Sequence, residues 1–244
     1  MTLLQVTPGS FEYDLFLVLT IILIVTKGIL LLFVGRKLII KKKEEGRFSI
    51  DFKFGIFILI LSFLLSRLFF TYFDFFLTKF DSSQYYVFPN YLFWKIGMVI
   101  SCIGIGIMLY ITDKKVLNFR LKGTIAIIAF LGGIIILIYS VEGPEDFAFI
   151  SGISIITNGA IAILLIFFIY VAIKTPGAVR RNALFIVIGG LSYAIASLLV
   201  NEAILTQLRT IFGEEIHIFI FFLFISLKVI GLVLMSYAFT KFAL

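Results

Sequence analysis

Very little in this chain is suited to chemistry in water. Its 244 residues include one cysteine, one histidine, one tryptophan and four prolines, and charged side chains make up only 14%. The single cysteine, Cys102, excludes an intrachain disulfide and reads as a small packing residue inside a helix. The single histidine, His217, has no cysteine or second histidine with which to hold zinc. No GxSxG, HExxH or phosphate-loop pattern occurs, and Gly104 and Gly106 lie inside an apolar run, so they form no dinucleotide fingerprint. Soluble domains carry roughly 25% charge. A chain this poor in charge, with 61% apolar residues and a mean hydropathy of +1.16, is not expected to be a soluble enzyme, a nucleic-acid module or a disordered segment.

The sequence does contain long apolar runs. A helix that crosses a bilayer needs about 20 such residues. Seven segments qualify, near residues 15–34, 54–73, 88–111, 124–139, 147–173, 183–200 and 216–239. The fourth is the shortest and has room to extend back to Phe119. The first cations are Lys27 and Arg36, so the chain lacks the basic start of a cleaved secretory signal, and the first span is expected to remain.

The net charge is +7, and its position carries more information than its size. Arg36, Lys37, Lys41, Lys42, Lys43, Arg47 and Lys53 lie in the first connection. Lys114, Lys115, Arg120 and Lys122 lie in the third, Lys174, Arg180 and Arg181 in the fifth, and Lys241 in the tail. The opposite side has only Lys79 and Arg209, together with ten of the acids, Glu202, Glu214 and Glu215 among them. The positive-inside rule then puts the N-terminus outside and the C-terminus in the cytoplasm. The expectation is an all-α, polytopic seven-transmembrane helix bundle in the cell membrane. It is a single domain over residues 1–244, with no soluble domain and no nucleic-acid partner.

Function must then be sought among the charges inside the spans. Lys27, Arg67, Lys95 and Lys228 all fall at hydrocarbon depth, where a charge costs about 2.5–3.5 kcal/mol and marks a functional candidate. Lys27 precedes Arg36 by nine residues, and its stem is long enough to snorkel toward the inner surface. Lys95 is close enough to the outer end to snorkel outward. Lys228 lies about twelve residues from either end of its span, so it must find a partner, line a wet cavity or lose its charge. Hydrogen bonding to helix carbonyls, contact with an anionic ligand and Schiff-base formation all remain open to it. Asp74 follows Arg67 by two helical turns on nearly the same face. With Asp74, Glu202, Asn158, Trp94, Tyr72 and Tyr193, these cations outline an outward-facing pocket between the second, third, sixth and seventh helices. Surplus positive charge there suits a carboxylate, a phosphate or an anionic lipid head. Small residues such as Gly97, Gly104, Gly132, Gly133, Gly189 and Gly190 mark close helix packing. The sequence leaves the oligomeric state open.

The last span, FISLKVIGLVLMSYAF (224–239), resembles the final helix of microbial rhodopsins, in which a mid-membrane lysine holds retinal. The resemblance implies that Lys228 would be that lysine, with Arg181, Asn182 and Tyr193 loosely placed as in that family. In place of a carboxylate counterion the third helix carries Lys95, and the family's tryptophan and proline are missing from the sixth. More of the chain, through FWKIG (93–97), IKTPGAVRRNAL…IGG (173–190) and KVIGLVLMSYAF (228–239), is similar to seven-helix proteins of archaea and to sensor modules elsewhere fused to histidine kinases. That resemblance implies a receptor-like bundle and no catalytic residues; with no output domain expected, signalling would need a separate cytoplasmic partner docking on the basic loops. The alternatives are a transporter or channel and a retinal-binding photoreceptor.

Overall fold

The structure, a computed structural model, describes residues 8–47, 49–199, 207, 208, 210–213 and 216–242; the side chains of 154–161 and of 217 lie outside that set. The described residues are overwhelmingly helical and contain no strand. The long helices are α1 (Phe11–Glu45), α2 (Phe52–Thr71), α3 (Asn90–Val116), α4 (Thr124–Ile138), α5 (Pro144–Lys174), α6 (Gly177–Leu199) and α7 (Ile216–Lys241). A π turn, Tyr72–Leu77, continues α2, and a short 3-10 turn covers Ser82–Gln84. Each helix packs on the next in sequence. α7 returns against α1 and touches α2, and α3 touches α5, which closes a ring.

Local sequence sets the helix ends. Ser10 accepts a hydrogen bond from the Tyr13 amide, and Glu12 and Asp14 occupy the positive end of α1. Gly46, at φ 67°, stops α1 in the left-handed conformation that glycine tolerates. Asp51 accepts from the amides of Lys53 and Phe54 to start α2 and pairs with Lys41. Lys41 shows that the expected first basic loop is mostly helix, since α1 continues through Arg36–Lys43 and leaves only 46–51 to connect. α4 does not reach back to Phe119. Residues 117–123 form a turn in which Asn118, Phe119 and Lys122 have positive φ. Asp113 holds that turn, its two oxygens accepting from the amides of Leu121 (3.2 Å) and Gly123 (2.8 Å).

Among the described residues five helical stretches are long and apolar enough to cross a membrane: Phe11–Glu45, Phe52–Leu77, Asn90–Val116, Gly177–Leu199 and Ile218–Lys241. Shorter apolar stretches are Thr124–Ile138 and Ala162–Lys174. Large apolar side chains face outward along α1 (Val18, Ile21, Val25, Ile29, Leu32) and α4 (Ile127, Leu131, Ile134, Ile138). A water-exposed surface does not carry such continuous apolar faces, whereas a bilayer requires them. The fold is therefore that of a helical membrane protein.

Glycines set the closest approaches. A Cβ on Gly231 of α7 would come within 2.5 Å of the Gly189 carbonyl oxygen on α6, and one on Gly189 within 2.8 Å of the Gly231 oxygen. Backbone meets backbone there, one turn from Lys228 and Tyr193. Phenylalanine fills the end of the bundle where α2 begins and α7 finishes: Phe52, Phe168, Phe239 and Phe242 pack ring on ring at 5.3–6.2 Å. Cys102 is buried, as a packing residue should be.

Candidate functional site

One face of α1 carries Phe16, Thr20, Leu23, Lys27 and Val34, all buried, at the three-, four- and seven-residue spacing of a helix stripe. Against it α2 presents Phe63 and Arg67, four residues apart. The antiparallel helices meet rung by rung. The Lys27 Nζ donates to the Phe63 carbonyl at 2.8 Å, an Arg67 Nη donates to Thr20 Oγ1 at 2.9 Å, and the Tyr13 hydroxyl donates to the Phe75 carbonyl at 2.7 Å.

Lys27 does not snorkel to the inner surface. Its residue is 2% exposed, its ammonium lies 5.9 Å from the Phe63 ring centroid, and the charges of Lys228 and Arg67 bear on it. Chain distance to Arg36 underlay the snorkelling expectation. The cross-helix Phe63 carbonyl satisfies the ammonium instead, and no sequence pattern announces that oxygen.

α6 and α7 close the cluster. The Tyr193 ring stacks on Phe63 at 5.0 Å and 4° between planes. The Lys228 Nζ lies 4.9 Å from the Tyr193 centroid and 4.5 Å from that of Phe224. The Arg67 guanidinium lies 5.8 Å from Phe224, so the two cations share one ring. Cation–π contacts are worth roughly 0.5–2 kcal/mol each, too little to replace full hydration of a charge. Among the described residues no hydrogen-bond acceptor meets Lys228 Nζ, and Arg67 Nε is buried without one. Among the described residues the one anion beside the cluster is Asp74, on the π turn, 4.0 Å from an Arg67 Nη. It faces Arg67; Lys27 and Lys228 have no described carboxylate beside them.

Of the expected pocket residues, the structure brings together Arg67, Asp74, Tyr193 and Lys228. The cluster lies between α1, α2, α6 and α7, not between the second, third, sixth and seventh helices. Lys95, on α3, is a separate feature. It is 3% exposed, donates to the Tyr139 carbonyl at the end of α4 and covers the Tyr91 ring at 5.0 Å. A cation at a helix C-terminus meets the negative end of the dipole, which accounts for Lys95 without a ligand. Trp94 joins an aromatic group with Phe70 (6.5 Å) and Phe147 (5.0 Å). Tyr72 is 45% exposed and stacks on Phe76, so it walls no cavity with Tyr193. The side chain of Asn158, all of Glu202 and the side chain of His217 lie outside the described residues.

Behind the Phe63–Tyr193 stack is an apolar cavity of about 20 Å³, bordered by Leu59, Met108, Leu164, Gly190 and Met235 among others. It has room for about one water and no polar group to hold it. No group of three or more metal-ligating side chains occurs among the described residues. No family model matches the chain, and no curated protein and no solved structure matches it. The site defines a class only by its own chemistry: a helical membrane bundle whose described interior gathers three basic side chains and one carboxylate.

Proposed function

We propose that the protein is a receptor-like, ligand-binding multi-pass membrane protein whose interior takes a small anionic or lipid-like ligand. Seven spans, an outer N-terminus and a cytoplasmic C-terminus go with this reading, supported by the helix ring and the one-sided cations. The observation that carries it is the gathering of Lys27, Arg67 and Lys228 in one part of the interior, where the one described carboxylate, Asp74, faces Arg67 alone. Uncompensated charge in a low-dielectric interior is costly, and an anion from outside removes the cost. The basic segments of α1 and of the connections after α3 and α5 would face the cytoplasm. There they can meet anionic lipid or a signalling partner.

The test is thermal unfolding of the purified protein in detergent against chloride, inorganic phosphate, alkanoates and an anionic phospholipid. At least one anion should raise the midpoint by an amount that grows with its concentration, while neutral analogues leave it unchanged. No response to any anion would count against the reading.

Retinal on Lys228 is the second reading, prompted by the lysine's place in the last helix. The rings of Tyr193 and Phe224 flank its ammonium. Visible absorption on adding retinal, lost in Lys228→Ala, would turn the reading to a photoreceptor. Alternating-access transport is served by helices broken near mid-membrane. Here the irregular turn lies at the end of α2, past Arg67.

A further inference from the structure

The donors of Arg67 are unevenly used. One Nη reaches Thr20, the other faces Asp74 at 4.0 Å, and Nε is buried with nothing to donate to. A guanidinium has one edge made of Nε–H and one Nη–H, and that edge matches the two oxygens of a carboxylate. The Nη on that edge is the one that donates to Thr20, whereas Asp74 faces the other Nη at 4.0 Å, beyond normal hydrogen-bond length, and offsets charge without occupying the edge. The Lys228 ammonium, over the same Phe224 ring, is a second donor that meets no acceptor among the described residues. Lys27 is already met by the Phe63 carbonyl. Among the described residues, Lys27, Arg67 and Lys228 against Asp74 leave two formal positive charges, so one bound carboxylate halves the excess.

The segment holding Asp74 is also unusual. It is a π turn, in which the Thr78 amide and hydroxyl both donate to the Phe73 carbonyl and Tyr13 holds the Phe75 carbonyl. π turns are rare and cluster at functional sites.

Resting on the anion-binding reading, we propose that the Nε edge of Arg67 and the Lys228 ammonium together bind one carboxylate group, and that Asp74 is a tethered, weaker competitor for the same guanidinium. The carboxylate belongs either to a soluble short-chain acid or to a long-chain acid entering from the bilayer. Binding forms no covalent bond. The ligand takes the Arg67 Nε edge, beside the Nη–Thr20 bond, and a Lys228 N–H, while Asp74 stays on the other Nη and competes through its charge.

The experiment measures apparent affinity from thermal-unfolding midpoints of the whole protein in detergent. The probes are acetate, butyrate, octanoate and decanoate, with octanol, chloride and inorganic phosphate as comparisons. The proposal requires carboxylates to bind more tightly than the inorganic anions and octanol to be inert. Affinity that rises steadily with chain length assigns the bilayer source, and affinity independent of length assigns a soluble acid. Arg67→Lys, which keeps the charge and removes the fork, should weaken carboxylate binding at least about tenfold. Asp74→Asn, which removes the competitor, should tighten it several-fold. That gain keeps the proposal testable even where the arginine variant fails to fold. Phosphate or chloride binding as well as the carboxylates would overturn the carboxylate assignment and leave the broader anion reading standing. Absence of binding by every anion would overturn both. Weaker or unchanged binding in Asp74→Asn would overturn the competitor role.

Discussion

Lys228 and Lys95 show how far depth alone carries an argument about a charged residue. Both sit inside apolar runs, but only Lys228 joins Arg67. A period of 3.6 tells which residues share a face and not what that face meets. Lys95 reaches the end of α4 through the Tyr139 carbonyl, a backbone group that every sequence provides and none advertises. Lys95→Met should therefore lower the thermal midpoint by a few degrees, since it strips a buried C-terminal contact worth about 1–2 kcal/mol. It should leave anion affinity within about twofold of wild type, whereas loss of anion binding in this variant would return Lys95 to the pocket. Arg67 and Asp74 were legible as a pair because seven residues make two turns, and the structure sets them 4.0 Å apart. Lys27 was not, because its partner lies on another helix. The Asn158 side chain and Glu202 lie outside the described residues.

Among the elements, α6 and α7 are the pair whose packing fixes the site. Gly189 and Gly231 let their backbones touch, and that contact sets Tyr193 and Phe224 around the Lys228 ammonium. Gly231→Val would drive Cβ into the Gly189 carbonyl and the Tyr193 backbone. The expected cost is about 1–3 kcal/mol, read as a lower unfolding midpoint together with weakened anion binding. Gly28→Ala on α1 is the contrasting case. A Cβ there meets nothing within 4 Å, and alanine is the better helix former by roughly 0.5–1 kcal/mol. Its midpoint should hold or rise; a fall matching that of Gly231→Val would show that the close α6–α7 contact is not what matters. The helices themselves were visible as apolar runs. The π turn was not, because Tyr72–Leu77 reads as more of the same aromatic helix, and its departure from α geometry goes with the local bonds from Thr78 to the Phe73 carbonyl and the tertiary bond from Tyr13 to the Phe75 carbonyl.

At the scale of the molecule, the ring of helices gives the charge asymmetry a geometric meaning. The end of α1 bearing Lys41, Lys42 and Lys43, the turn after α3 and the connection from α5 to α6 fall on one side by helix alternation. α4, with 15 residues, extends about 22 Å, less than the roughly 30 Å hydrocarbon core, so the proposed seven-span topology requires the bilayer to thin or the flanking turn to enter it. Orientation is testable because the chain has one cysteine and that residue is buried. In a Cys102→Ser background, a membrane-impermeant maleimide added to intact cells should label Ser10→Cys and leave Gly46→Cys unlabelled until the membrane is opened. The reverse pattern would invert the topology and place Asp74 at the inner face.

The central claim is that charge left uncompensated inside the bundle exists to receive an anion, and Lys27 and Lys228 separate that claim from simple burial. Lys27 has its acceptor in the Phe63 carbonyl, while Lys228 has two aromatic rings and no described acceptor. The decisive measurement is the anion-induced rise in unfolding midpoint for Lys27→Leu and Lys228→Leu side by side. The account predicts that Lys228→Leu loses most of the rise and Lys27→Leu keeps most of it, whatever each variant does to the ligand-free midpoint. Equal losses in the two variants would contradict it.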